Sequence, residues 1–261
     1  MDTSQRMQRS WRQVAALAAF AVLMLAPTTQ AKSKKVSDYF LVCRRGDPDF
    51  AGCVKRSIED ARPRLVKGMP EVRLPSIDPL RIEQLEMQEG QGNFRFLMRL
   101  KNVSVTGLKD FTVRSIKADW ALGSWVLDMF TPHQHFEGQY EMEGRLMSLP
   151  IQGSGDATMD FDGVTTIGEL QLKNVTRKGK AYVSVDSFRW KIDVENAKSH
   201  FTNLFNGDKT LGETTNKFLN ENWRDAFDTY KHLPEEAFSQ FFTELQNRFY
   251  EQFSIDELYP E

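Results

Sequence analysis

Between Leu80 and Val194 apolar side chains recur at every second position. Phe94, Phe96, Met98 and Leu100 alternate with Asn93, Arg95, Arg99 and Lys101, with Leu97 as the exception. Trp125, Leu127 and Met129 follow the turn signal Leu122-Gly123-Ser124, and Tyr140, Met142, Leu146 and Met147 form the next run, where Gly144 marks a bulge or close approach. Ala157, Met159 and Phe161 alternate with Asp156, Thr158, Asp160 and Asp162. Ile167, Leu170 and Leu172 are less regular, and Tyr182 to Val194 reads as one long final strand. Gly107, Gly153, Gly163 and Gly179 stand near the breaks. A period of two, with no intervening helices to cover a parallel sheet, predicts an antiparallel meander of about seven to nine strands. One face of each strand is apolar and needs a cover.

Helical periodicity flanks the meander. Phe50, Val54, Ile58, Ala61 and Leu65 predict a helix over Pro48–Leu65, which Pro63 should kink or end early. Gly68, Pro70, Pro75 and Pro79 then predict an ordered strap without regular structure. After Asn206-Gly207-Asp208, a stripe of Leu211, Thr215, Phe218, Asn222, Ala226 and Tyr230, widened by Leu219, Trp223 and Phe227, predicts a helix. Pro234 restarts a second one, with Glu235 and Glu236 near its positive end and Phe238, Phe241, Phe242, Leu245, Phe249 and Phe253 on its apolar face. The order helix, sheet, helix, without internal repeats, points to one α+β domain.

The first residues change what the rest means. Arg6, Arg9 and Arg12 precede an apolar run from Val14 to Ala26, Pro27 breaks it, and Thr29-Gln30-Ala31 offers a cleavage site, with Ala26 as the weaker alternative. Residues 1–31 are read as a secretory signal peptide and 32–261 as the mature domain. The run makes a helix about 20 Å long, short of the roughly 30 Å membrane core, which disfavours the alternative of an N-terminal anchor. Removal of 1–31 leaves 31 basic against 35 acidic residues. That balance lacks the basic footprint of a nucleic-acid binder. In an oxidising compartment Cys43 and Cys53, the only cysteines, would pair; the alternative is two unpaired buried thiols. Asn102-Val103-Ser104 and Asn174-Val175-Thr176 are glycosylation acceptor patterns, usable only outside the cytosol.

The chemistry of catalysis is sparse. There is no His-Glu-x-x-His, no Gly-x-Ser-x-Gly and no phosphate-binding glycine loop. His133 and His135 share a strand face but lack a third metal ligand, and a solvated loop beside Pro132 explains them better. Asp156, Asp160 and Asp162 fail the calcium-loop register, because Phe161 stands where the turn glycine belongs and Ile167 where the bidentate Glu belongs. Neither a metal nor another cofactor is expected.

The 19 Phe carry the remaining signal, ten of them from Phe188 onward. Aromatic helices facing a wide apolar sheet either fill a core or line a cavity, and Met98, Met129, Met142 and Met159 suit an adaptable lipid-like wall. Patterning leaves both open. If the space is hollow, face and period nominate Phe94, Phe96, Met98, Trp120, Trp125, Met129, Phe161, Phe218, Trp223 and Phe227 as its lining.

Several segments together resemble the insect takeout and juvenile-hormone-binding protein family: CRRGDPDFAGC, LPSIDPLRI, NVSVTGL, HFTNLFNGDKTLGETTNKFLNENWRDAF and the closing FSIDELYPE. The resemblance covers almost all of the chain after the leader. It implies an elongated α+β domain in which a strongly curved antiparallel sheet wraps a long helix around an apolar tunnel. That architecture is shared with tubular lipid-binding proteins related to the bactericidal permeability-increasing protein. It further implies a secreted, non-enzymatic carrier of a small hydrophobic ligand, terpenoid, juvenile-hormone-like or fatty-acid-like, in hemolymph or another extracellular fluid. Stable membrane insertion is not implied. Hormone transport, feeding and circadian-linked behaviour are the associated roles. Cys43 and Cys53 match the family's N-terminal disulfide; the second disulfide of the dedicated hormone carriers cannot form, so the chain looks takeout-like. Two other readings stay open: a secreted factor with a closed core that binds an extracellular receptor or carrier protein, and an esterase.

Overall fold

Two strands dominate the sheet, and both are longer than the runs that announce them. In the computed structural model, which describes residues 34–90, 96–146 and 149–261, β4 spans Ser124–Leu146 and β5 spans Leu149–Arg177. Each fuses two of the expected strands into one. The other strands are β1 (Leu80–Glu89), β2 (Phe96–Thr106), β3 (Thr112–Asp119), β6 (Lys180–Asp193) and β7 (Asn196–Phe201). All pairings are antiparallel, in the order β1-β2-β4-β5-β6, with β3 on β4 and β7 on β5.

Pro132 and Gly163 explain why the sequence reads as broken where the strands run on. The pairs Thr131↔Val164 and His133↔Asp162 set these two residues opposite each other. Proline gives no hydrogen to the ladder, and Gly163 takes a φ of +61°, a conformation glycine adopts without steric cost. The register is continuous across them, yet the buried face slips by one residue in both strands. Inward positions run Trp125, Leu127, Met129, Thr131 and then Gln134, Phe136, Tyr140, Met142; on β5 they run Ala157, Met159, Phe161 and then Val164, Thr166, Gly168. Partners change at the same place. β4 pairs with β3 before the slip and β2 after it, and β5 pairs with β7 before and β6 after. The curved sheet therefore has two halves that share two strands.

The helices are α1 (Phe50–Lys67), α2 (Lys209–Glu221), α3 (Trp223–Tyr230), α4 (His232–Tyr250) and the short α5 (Ile255–Leu258). Pro63 neither ends nor shortens α1: it sits on the exposed side, where solvent is available to the carbonyl its ring leaves unbonded. The first tail helix, in contrast, is divided, because Asn222 leaves helical geometry at φ −114° and ψ 26°. The strap holds a 3₁₀ turn at Pro70–Val72.

Helix side chains cover the sheet's open edges. On α2, Asn216 and Asn220 lie one turn apart, and residues 199 and 201 of β7 lie two strand residues apart, nearly the same distance. Each Asn accepts from a β7 amide and donates to the same residue's carbonyl: Asn216 with Phe201 (2.9 Å both ways) and Asn220 with Ser199 (2.8 Å both ways). On the β6 edge, α4 accepts from Val185, Trp190 and Ile192 amides through Asn247, Ser239 and Glu235, at 2.8 to 2.9 Å. These bonds satisfy an edge that would otherwise invite pairing with another chain.

Candidate ligand cavity

The two halves are packed differently. In one, Phe136 meets Phe161 at 5.4 Å and Phe238 at 6.3 Å, Phe96 meets Tyr230, Tyr140 meets Phe201, and the space is filled. In the other a cavity of about 420 Å³ remains. That size lies within the usual range for small-molecule sites.

Four layers line it. The floor is the slipped half of the sheet, with Trp125, Leu127, Met129 and Thr131 of β4, Thr166, Gly168 and Leu170 of β5, and Phe188 and Trp190 of β6. One wall is α4, through Phe242, Leu245, Phe249 and Tyr250; Phe242 stacks on Trp190 at 4.7 Å. The opposite wall is α1, through Val54, Ser57, Ile58 and Leu65. Over this lies the N-terminal strap, Val36 to Cys43. Arg64 Nε donates to Tyr39 O (2.9 Å), Ser57 Oγ to Leu41 O (2.9 Å), and the Cys43–Cys53 disulfide ties the strap to α1. The C-terminus closes the same end: the Arg45 amide donates to Pro260 O (2.8 Å) and the Arg44 guanidinium to Glu261 O (2.7 Å).

The lining includes no Lys, Arg, His, Asp or Glu. Its polar groups are few. The Tyr250 and Tyr259 hydroxyls bond each other, and burial pushes both phenols upward, Tyr259 well above the usual tyrosine value. Trp125 Nε1 is buried without a partner. Thr131, Gln134 and Thr166 are the well-buried polar residues that the sheet contributes to the lining.

Of the residues nominated from the sequence, Trp125 and Met129 line the cavity. Trp120 stands behind Trp125 at 6.2 Å, against Phe50 and Tyr259. Phe96, Met98, Phe161 and Phe218 belong to the filled half. Trp223 and Phe227 lie on α3 beneath the Arg224 guanidinium, at 4.3 and 5.9 Å. Phe94 falls outside the described residues. The largest contributors missed were α1 and α4, although both stripes were visible; periodicity shows that a helix has an apolar face, not which half of a sheet it covers.

His133 and His135 are on β4, not in a loop, and face away from the cavity. Their Nδ1 atoms lie 2.8 Å from Asp162 and 2.7 Å from Asp160, which accounts for both histidines and for the acidic face of β5. The hydrogen bonds from His133 and then Asn196 hold the Asp162 carboxyl below its ordinary range. Among the described residues no group of three or more His, Cys, Asp or Glu could hold a metal ion. Nor is any described helix long and apolar enough to cross a membrane.

Known proteins are similar to this chain in fold and in sequence. Takeout 1 of Epiphyas postvittana has the same fold, with a TM-score of 0.70 and 23% identity over 85% of this chain and 100% of its own. The circadian clock-controlled protein daywake of Drosophila yakuba is 27% identical over 194 residues, 69% of this chain and 73% of that protein. Its Drosophila melanogaster counterpart is 26% identical over 171 residues, 60% of this chain and 63% of that protein. The profile of the haemolymph juvenile hormone binding protein family matches residues 18–260. A match of that extent, on a chain whose curved sheet closes over helices around an apolar space, shows that the chain belongs to the takeout and haemolymph juvenile hormone binding protein family.

Proposed function

We propose that this protein is a secreted carrier that takes one small hydrophobic molecule out of water into the cavity between α1, α4 and the slipped half of the sheet. The observation that carries this reading is the cavity itself: about 420 Å³, lined by four layers and free of charged side chains. Binding is driven by burial of apolar surface on both partners, roughly 25 cal/mol per Å² before ordering costs. Family membership supports the same role. A wholly closed core, as the protein-interaction alternative requires, would leave no such space. An esterase needs a base beside its nucleophile, and the one serine of the lining, Ser57, has its hydroxyl on a backbone carbonyl with no histidine in the wall.

The extracellular setting is part of the proposal. The leader sequence, the disulfide and the haemolymph name of the family favour it, and Asn102 and Asn174 are both exposed as glycan acceptors must be. The clock-controlled naming of the Drosophila relatives makes circadian-linked behaviour a process to examine. Native mass spectrometry with lipid extraction of protein secreted from insect cells tests the carrier role. The expected result is a protein mass that exceeds the chain by one extractable apolar molecule. A ligand-free protein that takes up nothing from a panel of terpenoids and fatty-acid derivatives would overturn it.

A further inference from the structure

The cavity is not uniformly apolar: beside Ser57 of α1 and Gln246 of α4, three polar residues of the sheet line it close together. Thr131, Gln134 and Thr166 are 3%, 5% and 4% exposed, and all three line the cavity. Thr166 pairs with Met129, which makes it a diagonal neighbour of Thr131 across the β4–β5 ladder. Gln134 follows three residues on, about 10 Å along the strand, immediately past the slip at Pro132. None of the three makes a side-chain hydrogen bond to another described residue. Their polar atoms are not among the sealed, partnerless ones, so they are open to the cavity space, where a polar group of a bound molecule can satisfy them. They mark the end of the cavity that abuts the filled half, where Phe136 and Phe161 close the way.

We infer that the ligand carries an uncharged oxygen function, of the alcohol, ester or ketone class, and binds with that end against Gln134, Thr131 and Thr166. The inference rests on the carrier reading and narrows it. Gln134 offers two donor hydrogens and a carbonyl, and each threonine a rotatable hydroxyl, so the group suits an oxygen that accepts, donates or does both. An ionised carboxylate has no cation in the lining to pair with, and its burial there is disfavoured. Nine residues back along β4, about 30 Å away, Trp125 Nε1 is a buried donor without a partner, while the Tyr250 and Tyr259 hydroxyls already engage each other.

Displacement of the fluorescent probe N-phenylnaphthylamine by hexadecane, hexadecanol, methyl palmitate and palmitate at neutral pH tests this. The alcohol and the ester should bind about tenfold more tightly than the carboxylate. Gln134→Leu and, separately, Thr166→Val, which keeps side-chain volume and suits a strand, should weaken hexadecanol about five- to tenfold and leave hexadecane unchanged. Trp125→Phe, which trims the cavity floor, should change hexadecane and hexadecanol by the same factor, and Lys217→Ala, on the exposed side of α2, should change neither. Palmitate binding as tightly as the alcohol would overturn the inference, as would Gln134→Leu and Thr166→Val weakening alkane and alcohol alike, or a Trp125→Phe loss confined to the alcohol. If the probe and all four compounds fail to bind, the carrier reading falls, and the inference with it.

Discussion

Tyr140 shows how one buried side chain ties distant parts of this chain and makes stability depend on pH. It is 1% exposed, and its hydroxyl donates to the Thr202 carbonyl at 2.6 Å. Burial raises its pKa to about 12 from the usual 10. The unfolded chain therefore releases this proton first as pH rises, so Tyr140's contribution is complete below pH 10 and is lost through the interval up to 12. Tyr140→Phe should cost about 1 kcal/mol at neutral pH, and that difference should shrink above pH 10 in thermal melts. Glu257 works in the opposite direction. The Ser254 hydroxyl and amide hold its carboxylate at 2.7 Å and depress its pKa. Its contribution is present above the ordinary carboxylate range and is lost as pH falls through the depressed value. Glu257→Gln should therefore flatten the acid limb of the melting-temperature profile without touching the alkaline one. That Tyr140 faces inward was legible from alternation; its bond to a residue 62 positions away was not, because no local pattern encodes it.

The elements are held by bonds that periodicity does not announce. The stripe of α2 was read from Leu211, Thr215 and Phe218, yet Asn216 and Asn220, which the stripe passes over, hold the β7 edge. Asn220→Leu removes a matched acceptor and donor and leaves the Ser199 amide and carbonyl without partners. It should cost about 1–3 kcal/mol in denaturant unfolding, whereas Lys217→Ala, on the exposed side, should change little. The disulfide is the other such tie. It closes a loop between residues ten apart, for which chain entropy gives roughly 3 kcal/mol. Reduction, or the pair Cys43→Ser and Cys53→Ser, should lower the melting temperature accordingly and speed the exit of any bound ligand, because the strap from Val36 to Cys43 is part of the cavity wall. The two cysteines could be found in the sequence; the strap from Val36 to Cys43, and what it covers, could not. The fused strands and the continuous α1 teach a related lesson. Pro132, Gly163 and Pro63 are read as breaks by local rules, but neighbouring strands, or solvent on an exposed helix face, satisfy the groups these residues leave open.

At the scale of the whole body from Lys35 to Glu261, the fold class and the antiparallel sheet follow from alternation and element order. The strand order, with β2 beside β4 and β3 and β7 off the path, departs from a simple meander, and the site follows only in part. Trp125 and Met129 were legible because they belong to a clean alternating run that lines the hollow half. Phe96, Met98 and Phe161 carry the same signal and lie in the filled half, so the difference is one of volume between elements, which no single strand encodes. That division makes a further expectation specific. Without ligand, amides of α1 and the strap should exchange hydrogen faster than those of β2 and the second part of β4. Added ligand at about a hundred times its dissociation constant, equivalent to roughly 2.7 kcal/mol, should slow the first group and leave the second nearly unchanged.

The slip at Pro132 and Gly163 has a consequence for how such a protein diversifies. The slip divides the inward side chains of β4 and β5 into two sets, one under the cavity and one in the filled half, so substitutions in the floor leave the packing of the other set as it was. The half packed on Phe136, Tyr140 and Phe161 keeps the chain folded while Leu127, Met129, Thr166 and Leu170 are exchanged. Cargo can thus change from one descendant to another without the architecture being renegotiated each time, and a lineage built on this plan can spread over many ligands while its outline stays the same.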